Sequence, residues 1–207
     1  MREELRAGVA IYNAGEYHAA HDAWEDYWLD LERGSDDERF LHGLIQFTAV
    51  LHHAQHCNWA GLSGLVESAR TYLADLPGDY RGLNLGEIRT YLDALYTDPE
   101  YVERVRPPVL THDGEPLSLS ALRFPAAAIA AEVFAAELPA FEAEPIETAI
   151  DYARTDLDAG EATSPMVTLV MDFARDEANR VIAYQRLCQH VERRLAREQD
   201  VQGLFDG

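Results

Sequence analysis

An all-α fold, an antiparallel helical bundle of about five helices with a further helical segment at the C-terminal end, is what this sequence predicts. Three observations carry that expectation. Apolar residues recur three and four apart over long stretches, as in Phe40, Leu44, Phe47 and Leu51, rather than in strand-like alternation. Turn-forming groups such as Gly34-Ser35 and Pro77-Gly78 fall between those stretches. An Ala-rich run from Ala126 to Ala136 has low polarity and high helix propensity.

In chain order, the periodicity predicts helices at about 2–13, 16–33, 36–56, 59–75 and 85–97. Ser35-Asp36-Asp37-Glu38 supplies an N-terminal cap for the third, and Asn58-Trp59-x-Gly61 caps the fourth and allows close packing. Pro107-Pro108 marks a change of character. Val109-Leu110-Thr111, Asp113-Gly114 and Leu117-Ser118-Leu119 suggest a short hairpin, with Pro116 weakening its second strand. Pro145 opens a helix that ends before Gly160, and Ser164-Pro165 pairs an N-cap with proline at the first helical position. From there one helix is expected over about 165–198. We therefore divide the chain into a helical domain at 1–106, a linker or short hairpin at 107–120, and a C-terminal helical extension at 121–207 that packs on the first part.

That final helix has Val167, Val170, Ala174, Glu177, Val181, Tyr184, Cys188, Val191 and Leu195 at heptad spacing. A homo-oligomer or partner seam with Glu177 setting register is one reading. Packing on its own domain is the preferred one, since globular helices use the same stripe. Asp176 and Arg180 form an i, i+4 pair, and Arg193, Arg194 and Arg197 suit the negative end of the helix dipole.

Composition narrows the function classes. There are 37 acidic and 17 basic residues for a net charge of -20, and every basic residue is Arg, because the chain contains no Lys. Such a surface repels nucleic acid and anionic membranes. The 47% hydrophobic content is ample for a packed core, so the charge does not signal disorder. Adaptation to a salt-rich cytoplasm accounts for it: at about 1 M salt the Debye length is about 3 Å, and surface carboxylates barely repel one another. The opening Met1-Arg2-Glu3-Glu4 is no apolar signal segment, and no apolar run reaches the roughly 20 residues of a membrane span. Cys57 and Cys188 form no Cys-x-x-Cys motif and fit a reducing cytosol. We expect a cytoplasmic protein.

Chemistry-bearing residues concentrate early. Six of the eight His lie between 18 and 56. On the second helix Tyr17, Ala20, Trp24, Tyr27, Trp28 and Leu31 share one side, and His18, Asp22 and Glu25 the neighbouring one. His21 stands at the border, one turn before Glu25. On the third helix His42, Gln46, Ala49, His53 and His56 lie opposite the apolar face. If the two helices are antiparallel neighbours, their polar stripes face each other across a cleft.

The pattern Gly15-x-Tyr17, His21-x-x-Trp24-Glu25-x-x-Trp28, then Gly43-Leu44-Ile45-Gln46 followed by His53, Asn58 and Gly61 resembles the domain-of-unknown-function family 309, in an acidic, haloarchaeal-type form. The resemblance is specific over residues 11–76 and weaker to about 98, with Asp22 departing from the Glu usual after that His. It implies a small all-α protein and brings no catalytic roles with it.

Two functions fit these residues. One is a non-catalytic binding or scaffold protein in which His21, Glu25, Gln46 and His53 bridge two helices. The other is a metal-dependent, hydrolytic enzyme, with His18, His21, Glu25 and His53 as ligands of a divalent Zn, Ni, Mn or Fe ion, Glu25 and His21 in catalysis, and Gln46 orienting them. The spacing is not a zinc signature, since His-Glu-x-x-His is absent and no His follows an acidic residue by three. Trp24 and Trp28 read as core by their helical spacing, and His52 as solvent-facing. Gly61-Leu62-Ser63-Gly64 is not a nucleophile elbow, and no phosphate-binding loop or dinucleotide fingerprint is present.

Overall fold

The computed structural model describes residues 1–203, which form ten α-helices and a two-stranded hairpin. They belong to two compact units, Met1–Ser118 and Leu119–Gly207. The fold is all-α, as the periodicity predicts. No helix among the described residues is long and apolar enough to cross a membrane.

In the first unit α1 (Arg2–Asn13), α2 (Tyr17–Leu29), α3 (Asp36–Gln55), α4 (Trp59–Leu73) and α5 (Leu85–Thr97) each pack on the next, and α6 (Tyr101–Arg104) is a single turn. The caps are those the sequence suggests. Ser35 Oγ accepts from the Glu38 amide at 3.1 Å, and Asn58 Oδ1 from the Gly61 amide at 3.2 Å. The far end of α4 is closed by a residue the sequence did not flag. Arg89 of α5 donates to the carbonyls of Leu73, Ala74 and Leu76, taking up groups a helix end leaves open.

The helix expected over 16–33 ends at Leu29. Glu38 is the reason: its carboxylate accepts from Trp28 Nε1 at 3.0 Å and from the Gly34 amide at 3.3 Å, which closes the α2–α3 turn early. Past Pro107-Pro108, β1 (Thr111–His112) and β2 (Glu115–Pro116) pair antiparallel around Asp113-Gly114, both at positive φ as a tight hairpin turn requires. Two asparagines tie this arm to the bundle. Asn13 donates to the Leu110 and Leu117 carbonyls and accepts from the Leu110 amide, and Asn84 accepts from the Thr111 amide and donates to the Val109 carbonyl.

The second unit contains α7 (Phe124–Glu137), α8 (Ala143–Asp158), α9 (Pro165–Arg175) and α10 (Arg180–Gly203). The Ala-rich α7 is buried on most of its circumference and lies against α8 and α9. Ser164 caps α9, accepting from the Val167 amide at 3.2 Å, with Pro165 at its first position.

The single helix expected over 165–198 is two helices. Asp176 breaks it: its carboxylate accepts from the Asn179 amide at 3.2 Å and from Asn179 Nδ2 at 2.8 Å, a local turn that competes with the helical ladder. Glu177 therefore lies in a turn, and the continuous seam does not exist. Val167, Val170 and Ala174 are buried on α9 and Val191 on α10, whereas Val181 and Leu195 are exposed. Arg180 is buried, with Nε donating to the Phe173 carbonyl at 3.0 Å and its guanidinium 4.0 Å from the Phe134 ring centre. The end of α10 corrects another expectation. The helix runs on to Gly203 with no basic residue in its last turn, so Arg193, Arg194 and Arg197 stand too far from its C-terminus to serve the dipole.

Candidate functional site

The residues of α2 divide their work between two neighbours, α1 and α3. Trp24 is fully buried, with its indole over Gly8 of α1. A Cβ at Gly8 would stand 2.1 Å from Trp24 Nε1, so glycine is required for that approach. Trp28 is half-buried and reaches α3 through Glu38. His21 also reaches α3, where its ring meets the backbone carbonyl of Ile45. On its other side His21 Nε2 lies 3.7 Å from Glu25 Oε2. Burial lowers the His21 pKa below its ordinary value of 6.5; the Glu25 carboxylate and the Ile45 carbonyl oppose that, and the His18 ring adds to it. Burial thus favours the neutral imidazole, whose single N–H can donate to only one of these two acceptors at a time.

His18 lies 3.5 Å from Asp22 and extends the patch outward, with its ring 6.0 Å from that of His21 and 5.1 Å from that of His52 on α3. His52, expected to face solvent, is thus part of the α2–α3 contact. Donor atoms of His21, Asp22 and Glu25 come within 4.8 Å of one another, close enough to share one ion.

Two other expected members, His53 and Gln46, have no hydrogen bond or ion pair to His21 or Glu25 among the described residues, although the His53 ring lies 6.3 Å from that of His52. His53 belongs to the α3–α4 turn, where its Nδ1 lies 2.9 Å from the Asn58 amide nitrogen. Asn58 is an N–H donor in that contact, so His53 accepts at Nδ1 and carries its proton on Nε2. Gln46 is half-buried, and its side chain makes no hydrogen bond among the described residues. Of the set His21, Glu25, Gln46 and His53, only His21 and Glu25 meet. The reason is position along the helix: His53 sits in the last turn of α3, where the cap of α4 claims its ring nitrogen.

His42 shares the helix stripe with Gln46 and His53 but has a different environment. Its ring stacks on Tyr72 of α4 at 3.8 Å and lies 4.6 Å from Trp28, with Nδ1 3.4 Å from Glu38. Glu38 and Tyr72 are the site residues that sequence reasoning missed. Glu38 had a signal, as the fourth residue of the Ser35 capping box; Tyr72 had none.

An aromatic wall lies on the other side of α2. Tyr12 packs on Tyr17 and Phe47, and Tyr91 on Phe47. Burial raises the pKa of Tyr12, Tyr17 and Tyr91, so all three stay neutral. Tyr17 also lines a cavity of about 270 Å³ with Leu51, Trp59, Val102, Glu103 and Pro107. Of the two free cysteines, Cys57 is exposed, and burial pushes the Cys188 thiol up, which disfavours its thiolate.

An uncharacterized protein of Aquifex aeolicus (strain VF5) is 32% identical over 91 residues, which is 44% of this chain and 27% of that protein. The aligned part thus spans about a quarter of that relative's length. Residues 5–65, from α1 into α4, match the family model described as a domain of unknown function, DUF309.

Proposed function

We propose that this chain is a non-catalytic helical binding or scaffold protein of a salt-rich cytoplasm, in which His21 and Glu25 pin α2 onto α3. One observation carries this reading: each residue of the His21-x-x-Trp24-Glu25-x-x-Trp28 run has a packing partner. His21 meets the Ile45 carbonyl, Glu25 meets His21, Trp24 fills the space over Gly8, and Trp28 donates to Glu38. The Gly43-Leu44-Ile45-Gln46 run supports it in the same way. A Cβ at Gly43 would lie 2.4 Å from Leu73, so that glycine lets α3 and α4 approach closely. The net charge of -20 and the absence of Lys support the salt-rich setting and disfavour a nucleic-acid partner.

The reading is tested by chemical unfolding of His21→Ala. Loss of a part-buried hydrogen-bonded ring should lower stability by about 1–3 kcal/mol. A loss below about 0.5 kcal/mol, typical of a solvated surface position, contradicts it.

A second reading, a metal-dependent and hydrolytic enzyme, is favoured by the close donor atoms of His21, Asp22 and Glu25, with His18 one turn away. There the ion would acidify a bound water, with Glu25 as a ligand or base. His53 would have to leave Asn58 to join it.

A further inference from the structure

The second unit holds an open cavity of about 930 Å³ between α8, the α8–α9 turn, the start of α9 and one face of α10. That is at the upper end of the size range of small-molecule sites. Independently of the reading of the first unit, we propose that this cavity binds a small organic anion. Its acid group is held by Arg193 and Arg197, and its apolar body lies against Ala159, Pro165 and Met166.

Local pairing leaves positive charge over in this cavity. Three arginines and three carboxylates line the cavity. Arg194 is engaged: it lies 2.7 Å from Asp156 and 3.6 Å from Glu198, and its guanidinium sits 4.1 Å from the Tyr152 ring centre. Glu198 also accepts from the Tyr152 hydroxyl at 2.7 Å. Two guanidiniums, Arg193 and Arg197, then stand against one exposed carboxylate, Glu161. Among the described residues neither guanidinium has a hydrogen bond or an ion pair.

Both side chains are exposed, and what sets them apart is that they line one cavity together. The two arginines also stand at i and i+4, where like charges repel and destabilise a helix. The helix dipole does not explain them, because α10 continues to Gly203. His190, three residues before Arg193, lines the same face. Two guanidiniums one turn apart suit the oxygens of a phosphate or a carboxylate, which accept charge-assisted hydrogen bonds.

Isothermal titration calorimetry on the full chain tests this, with phenyl phosphate, phenylacetate, inorganic phosphate and benzyl alcohol as probes at matched salt. Saturable one-site binding of an aromatic anion is expected, at least about tenfold tighter than of inorganic phosphate or benzyl alcohol. The R193Q/R197Q variant should lose at least about tenfold, whereas Arg186→Gln, an exposed position on the same helix, should bind as the wild type does. The two aromatic anions separate a phosphate ligand from a carboxylate one. No saturable binding of either, or unchanged affinity in R193Q/R197Q, overturns the proposal. If R193Q/R197Q unfolds, amide shift mapping on the wild type decides instead: changes at Met166 and Arg193 support the site, and changes elsewhere overturn it.

Discussion

Gly8 and Trp24 make an approach between α1 and α2 that leaves no room for a methyl group. A Cβ on Gly8 would lie 2.1 Å from the indole nitrogen, inside a core where Trp24 is wholly buried. Alanine would gain about 1 kcal/mol in helix propensity. Overpacking a rigid ring costs about 1–3 kcal/mol or more, so the clash should win. Gly8→Ala is expected to lower the denaturant midpoint with an unchanged slope, and a more stable variant would show that the two helices can separate at little cost.

The hairpin arm depends on Asn13. Its side chain makes three hydrogen bonds, at 2.8, 2.8 and 2.9 Å, to the backbone of Leu110 and Leu117. Asn13→Ala leaves those part-buried groups without their partner and should cost about 2–4 kcal/mol. Hydrogen exchange at the Leu110 amide is the direct check, with faster exchange expected in the variant. Unchanged protection there would mean that Asn84 alone secures the arm.

Acid should weaken the first unit through two histidines. Burial lowers the pKa of both His21 and His112 below 6.5, so the folded state favours their neutral forms. Below the unfolded value the unfolded chain binds more protons, and stability falls as pH drops from about 6.5 through the folded values. Above that window these groups add no pH dependence. Denaturant midpoints from pH 8 to 5 should trace this fall, with a shallower slope in His21→Ala. A flat profile would contradict it.

Salt should act in the opposite direction to its usual weakening of surface ion pairs. With 37 carboxylates against 17 arginines, repulsion exceeds attraction once screening is removed. The melting temperature should fall on transfer from molar salt to dilute buffer. An unchanged value would end the salt-adaptation account.

Much of this fold was legible because local chemistry sets it. Ser35, Asn58 and Ser164-Pro165 each start a helix where the sequence places one, and the apolar spacing identifies the buried faces. The break at Asp176 was hidden because the same spacing runs through it from Ala174 to Val181. A two-residue competition between a side chain and the backbone outweighed eight apolar positions. The site was legible only where partners lie on one helix. His21 and Glu25 could be paired from their i, i+4 separation, but His42 on Tyr72 and His52 against His18 depend on how helices meet. His53 illustrates the limit: its stripe pointed to the cleft, while its place in the last turn of α3 gave it to Asn58.

Elemental analysis by plasma mass spectrometry addresses the central claim most directly. It would use untagged protein purified in high salt without chelator, then incubated with Zn, Ni and Mn, beside the H21A/E25A variant. If His21 and Glu25 serve to pin α2 on α3, the wild type carries no stoichiometric metal and the variant differs from it only in stability. A stoichiometric transition metal in the wild type that the variant loses would contradict that account and establish a metal centre on α2.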